Sequence, residues 1–138
     1  MKLVNKWTAS DAPDVRAARG RMMMDGTYME RDPQKGIELI ASAAVWSNDV
    51  RNEVLNLLAE HPALRLTYAD SMMFDAREAA EVGEPGALAA LIGVTLSTNE
   101  QFRDVEYGCP LVEWWAEAGA PEAMARLPEC TVSPQLVR

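Results

Sequence analysis

Few residues in this chain have the types and spacing that catalysis needs. The one histidine, His61, stands beside Pro62 in a linker. A general base needs a positioned partner, and no serine or cysteine forms a recognisable motif with it. The two cysteines, Cys109 and Cys130, are 21 residues apart with no histidine near them. Metal sites need several histidines, thiolates or carboxylates at helical or loop spacing. There is no phosphate-binding loop and no dinucleotide fingerprint, and Gly83-Glu84-Pro85-Gly86 reads as a turn. The reading is therefore of a protein that is not an enzyme and holds neither cofactor nor metal. For the cysteines, free thiols in a reducing compartment are the adopted reading, and one disulfide tying the C-terminal tail to the last repeat is the sharper one.

Chemistry of recognition has more to stand on. Glu78, Glu81 and Glu84 gather at one helix end, and Glu113, Glu117 and Glu122 come one repeat later. They form either a solvated acidic face or a ridge for a basic partner, and such a ridge raises association rate and salt sensitivity more than affinity. Met22-Met23-Met24 and Met72-Met73 are the other unusual runs. Met23 and Met73 are expected to pack in the core as adaptable fillers, with Met22 or Met24 outside, because three successive helical residues spread over about 200° of arc.

The element that must position these groups best is the stretch 25–47. Gly26 can take the positive φ of a helix terminus, and Asp32 before Pro33 is an N-cap with proline at the first helical position. Ile37, Ile40, Ala41 and Ala44 then recur at spacings of three and four, an apolar helical stripe that needs a neighbour to cover it. Further helices are expected near 13–24, 33–46, 49–59, 66–82, 85–97, 109–118 and 121–127, joined by short connections that make neighbours antiparallel. No period-two run is bracketed by turn residues, so strands are not expected. The fold class is all-α.

With 138 residues, 49% of them apolar, the chain suits one domain with a single core. A net charge of −8 disfavours nucleic acid and anionic membranes as partners. The first residues, Met1 to Pro13, hold no apolar run long enough for a secretory signal, and no stretch approaches the ~20 apolar residues of a membrane span. A cytoplasmic protein is expected.

The helix ends repeat. Ala43-Ala44-Val45-Trp46-Ser47, Ala79-Ala80-Glu81-Val82-Gly83 and Trp115-Ala116-Glu117-Ala118-Gly119 fall at 36-residue steps. Reading forward, Asp11-Ala12-Pro13-Asp14-Val15 matches Gly83-Glu84-Pro85-Gly86-Ala87 and Gly119-Ala120-Pro121-Glu122-Ala123, with the segment from Ser47 a weaker copy. Arg19, Leu55, Leu91 and Leu127 share one register. This is the signature of a solenoid of helical hairpins, each stripe facing the next hairpin, with atypical terminal units. The repeats are placed at 11–46, 47–82 and 83–118, with a half repeat at 119–127 and a capping tail at 128–138. Trp114 and Trp115 stand where this register calls for polar and small residues. Either the tail, through Val132, Pro134, Leu136 and Val137, covers these indoles, or another chain does.

The first unit resembles the Sel-one-like repeat, a relative of the tetratricopeptide repeat. Gly20 stands at its first glycine, Met23 at its tyrosine, and Gly26, Met29 and Asp32 at its loop glycine, valine and aspartate. Lys35, Gly36, Leu39, Ala43 and Ala44 follow in phase. The match spans about residues 11–127 and fades after the first unit. Later copies keep Ala79, Ala80, Gly83, Ala87 and Leu91, then Asp104, Ala116, Gly119, Ala123 and Leu127, but lose the glycine loop, and Tyr68 replaces the aspartate. An ankyrin-type array, suggested by Gly108-Cys109-Pro110-Leu111, is the rival, but its proline-to-glycine spacing and its expected period both disagree.

The resemblance implies an α/α solenoid of about three and a half hairpins acting as a protein-binding adaptor or scaffold. It implies that first helices line a concave face, whose outward positions by helical phase are Arg16, Met22, Asn52, Asn56 and Leu88. The rival surface is the ridge of Glu78, Glu81, Glu113 and Glu117, together with Trp114. The partner is another protein, a basic one if the ridge is used, and a homodimer through the Trp114–Trp115 face is the alternative assembly. An acidic inhibitor or immunity-type protein masking a basic effector is the second function, and a small-ligand carrier or enzyme using the concave groove is the third.

Overall fold

The computed structural model describes residues 12–137, with side chains described through 130. Every regular element among them is helical: α1 (Pro13–Asp25), α2 (Pro33–Ala43) with a 3-10 turn (Ala44–Trp46), α3 (Asn48–Glu60), α4 (Ala69–Glu81), α5 (Ala87–Thr95), α6 (Val105–Glu117) and α7 (Pro121–Val137).

Local chemistry sets most of the boundaries. Gly26 closes α1 at φ 80°, and its N–H donates to the Met22 carbonyl. The side chain of Asp32 accepts from the Lys35 N–H at 3.2 Å and caps α2 ahead of Pro33. Ser47 caps α3 through the Val50 N–H, and Asp104 caps α6 through the Tyr107 N–H. Each such cap satisfies a donor that the helix itself leaves open. The helices α2, α4 and α6 start at Pro33, Ala69 and Val105, 36 residues apart.

Among the boundaries that differ from those expected, three have a visible cause. The helix expected at 66–82 starts at Ala69, because the preceding linker spends its backbone bonds on side chains. Gln34 accepts from the Arg65 N–H and donates to the Arg65 carbonyl. Gln101 does the same for Leu66 from the other side, at 2.7 and 2.8 Å. The buried Asn99 amide donates to the Leu58 and Leu64 carbonyls, fixing the start of the same linker. The helix expected at 109–118 starts at Val105, since Asp104 supplies a cap that precedes Pro110. The last helix, expected to stop at 127 before a tail, continues to Val137. A disulfide between Cys109 and Cys130 holds its second half on α6, and the helix runs through Pro128. The expectation of free thiols is thereby overturned.

Ile37 and Ile40 of α2, Val54, Leu55 and Leu58 of α3, Ala76 of α4, Leu91, Ile92 and Val94 of α5, and Val112 of α6 form the buried centre. Helix α1 packs on α2, α3 on α5, and α4 on α5. Helix α6 packs on α7, which also touches α5. Where α1 crosses α2, two glycines meet. A Cβ on Gly20 would lie 2.6 Å from the Gly36 carbonyl oxygen, and one on Gly36 would lie 2.6 Å from that of Gly20. The backbones themselves are the contact.

Candidate functional site

The residues expected to line a concave face divide. Asn56 is exposed on α3 and, with Asp49, Glu53 and the Pro85–Gly86 turn, borders a shallow depression of about 570 Å³. Arg16 and Met22 are half-buried, and Arg16 donates to the Ser42 hydroxyl at 3.4 Å. Leu88 is not outward, and Asn52 lines the floor of that depression with little of it exposed. Asn52 is buried because its amide donates to the Pro85 carbonyl under that turn, and Leu88, in the first turn of α5, joins the core. Helical phase read from the sequence missed the loop that folds over this face. The methionines also differ from expectation. Met24 is in the core and Met23 is only half-buried, because Met24 rather than Met23 faces Gly36 at the α1–α2 crossing.

The acidic residues are brought together in part. Glu78 and Glu81, with Asp75 and Glu84, line one depression of about 490 Å³ at the end of α4. Glu113 and Glu117 are exposed on α6 and do not line it. Arg51 of α3, only 7% exposed, enters the depression from below. Its guanidinium donates to Asn48 at 2.9 Å and to Glu84 at 3.2 Å. Asn48 donates in turn to the other Glu84 oxygen. A buried cation tied to one carboxylate in this way leaves Asp75, Glu78 and Glu81 to set the sign of the surface. Val82, 77% exposed, stands at its edge.

Trp114 is 64% exposed, and Trp115 is half-buried against the core. Their rings meet edge to face, centroids 4.9 Å apart. The cover expected from Val132, Pro134, Leu136 and Val137 falls on side chains outside the described residues.

One groove was not legible in the sequence. It lies between α2 and α4, measures about 390 Å³, and is walled by Ala41, Ala44, Val45, Leu66 and Met72. Glu38, Ser42, Tyr68, Ser71 and Asp75 bring polar groups to it, and Arg51 reaches it as well. The small residues that open it sit in a helical stripe that reads as ordinary packing surface. Between α4 and α6, by contrast, the Arg77 guanidinium lies over the Tyr107 ring, 4.2 Å from its centroid. Burial pushes the Tyr107 hydroxyl above its ordinary range, and the charges of Glu81 and Asp104 add to that against the opposing Arg77.

Among the described residues no group of three or more histidines, cysteines or carboxylates is placed to hold a metal ion. No helix there is long and apolar enough to cross a membrane. No protein-family model matches the chain, no curated protein matches it, and no solved structure matches it.

Proposed function

We propose that this chain is a protein-binding helical-repeat module, an adaptor or scaffold whose working surface is the acidic side of α4. The observation that carries the reading is the joining of Asp75, Glu78, Glu81 and Glu84 around one depression edged by exposed Val82. Carboxylates of one sign around an apolar rim suit a basic protein that also buries apolar surface. The 36-residue spacing of the starts of α2, α4 and α6, and the packing of α3 on α5 and of α5 on α7, support a Sel-one-like solenoid. An acidic inhibitor masking a basic effector would use the same surface and is the second reading. A small-ligand carrier or an enzyme using the open depression beside Asn56 has less support, since that depression is shallow and carries no converging catalytic groups. The bonded pair Cys109–Cys130 supports an oxidising setting in place of the cytoplasmic one expected.

The test is a photo-crosslinking side chain placed at Glu78, Val82 or Asn56, used with extract from the native host. Crosslinks to one protein from Glu78 and Val82, fading as salt rises, are the expected result. Crosslinks from Asn56 alone would move the function to the α3 depression.

A further inference from the structure

Counting 36 residues forward from the groove between α2 and α4 leads to the seam between α4 and α6. Ala41 corresponds to Arg77, Ser71 to Tyr107, Val45 to Glu81 and Tyr68 to Asp104. All four of the earlier positions line the groove. At the later positions the space is spanned from within, by the guanidinium of Arg77 lying on the ring of Tyr107. Arg77 and Asp104 border one depression there, and the charges of Glu81 and Asp104 act at the same ring. Ala41 and Ser71 thus leave open the part of the seam that an arginine–tyrosine stack spans one step on, where a depression of about 370 Å³ lies beside the stack.

Around the opening the carboxylates come from other positions than those beside the stack, since Glu81 and Asp104 correspond to Val45 and Tyr68. Among the described lining residues Arg51 is the cation, and Glu84 offsets it, so Glu38 and Asp75 set the charge of the groove. Glu38 accepts from the N–H and hydroxyl of Thr67. Among the described residues Asp75 has no hydrogen-bond or ion-pair partner. Tyr68 is 78% exposed and offers an aromatic face, as Tyr107 does to Arg77. Planar guanidinium groups stack on such faces and pair with carboxylates, while the aliphatic stem covers apolar wall. The volume of about 390 Å³ lies within the ~300–1,000 Å³ of ordinary ligand pockets.

We propose that the groove between α2 and α4 receives an arginine side chain presented by the partner protein, with Asp75 and Glu38 as its counter-charges and Tyr68 as its stacking face. This rests on the protein-binding reading above and names the anchor that the reading leaves open.

The full chain, labelled with ¹⁵N, is titrated with a blocked tripeptide, acetyl-Ser-Arg-Gly-amide, and with the same peptide carrying citrulline. The arginine peptide is expected to give saturable shifts at the amides of Ala41, Ser42, Ser71 and Met72, and the citrulline peptide to bind at least about tenfold more weakly, since it keeps the shape and loses the charge. Asp75→Asn should weaken the arginine peptide about fivefold, the loss of one good exposed ion pair. Ala41→Arg should abolish the shifts by placing its own guanidinium where the peptide's would lie, as Arg77 lies on Tyr107 one step on. Where that variant does not fold, Ser71→Tyr closes the groove from the other wall and carries the same expectation. Equal binding of the citrulline peptide would overturn the proposal, as would unchanged binding by either folded variant. Free arginine binding as tightly as the peptide would make this a small-molecule site and overturn the docking role. Shifts confined to Glu78, Glu81 and Glu84 would end the groove proposal and leave the acidic-surface reading standing.

Discussion

Between α1 and α2 the contact is made of backbone. Gly20 and Gly36 face each other so closely that either Cβ would strike a carbonyl oxygen at 2.6 Å. Between α6 and α7 the contact is covalent, with Cys109 and Cys130 bonded across the two helices. Gly108 of α6 stands 72 residues after Gly36, two steps of 36. It too faces a close neighbour, the Thr95 hydroxyl of α5, at 2.7 Å from a Cβ position. The two regions differ in the kind of contact rather than in its cover, since α1 packs chiefly on α2 while α7 packs on α6 and also touches α5. Close backbone approach between α1 and α2 adds many small dispersion contacts. Helix α7 packs mainly on α6 and touches α5 on one side, and it contains Pro128 and Pro134, each of which removes a helical N–H donor. A cross-link there limits the freedom of the unfolded chain and does not depend on packing from every side.

The contrast between the two ends breaks most visibly at the disulfide. Cys109→Ala with Cys130→Ala should cost about 2–4 kcal/mol, the usual value for a bridge closing a loop of this order. The urea midpoint measures it. Fraying of α7, seen as faster amide exchange there than in α2, should accompany the loss. A midpoint shift with uniform exchange would show that α7 needs no covalent tie.

A smaller effect is expected at the glycine crossing. Alanine is the better helix former by about 1 kcal/mol, so Gly20→Ala would stabilise an open helix. Here the added methyl meets Ile40 Cγ1 at 2.5 Å and the Ile40 backbone nitrogen at 3.0 Å. Overpacking of this kind costs about 1–3 kcal/mol, so the net change should be destabilising, by up to about 2 kcal/mol. A raised melting temperature would mean that the crossing yields easily and that the backbone contact is incidental.

The smallest effect concerns the caps. Asp32→Ala and Asp104→Ala each remove one capping bond and should each cost about 1 kcal/mol. The two should be alike, since both aspartates cap helices in the same register. If Asp104→Ala costs much more, Pro110 has made α6 dependent on its start, and the two ends differ in local as well as long-range support.

Much of this fold could be read from local chemistry. Asp32-Pro33 announces α2, and Gly26 announces the end of α1. Asp104 matches Asp32 in register, and its side chain caps α6 four residues before the expected start. Of the acidic residues, Glu78 and Glu81 share a depression because they lie on one helix face, a local matter. Their grouping with Glu84 and Arg51 depends on a loop and on a helix more than twenty residues earlier.

By itself the sequence determined which segments are helical, where most of them stop and which stripes are apolar. Those are effects of neighbours three or four positions apart, and propensity, capping and periodicity record them. Only the tertiary structure decided the rest. It joined Cys109 to Cys130, buried Leu88 beneath the face it was expected to line, held the 61–67 linker between Gln34 and Gln101, and left a groove at Ala41 where Arg77 lies on Tyr107 in the corresponding seam. The reason is distance along the chain. Each of these features depends on groups separated by about twenty residues or more, and no local preference of either partner encodes where the other will lie.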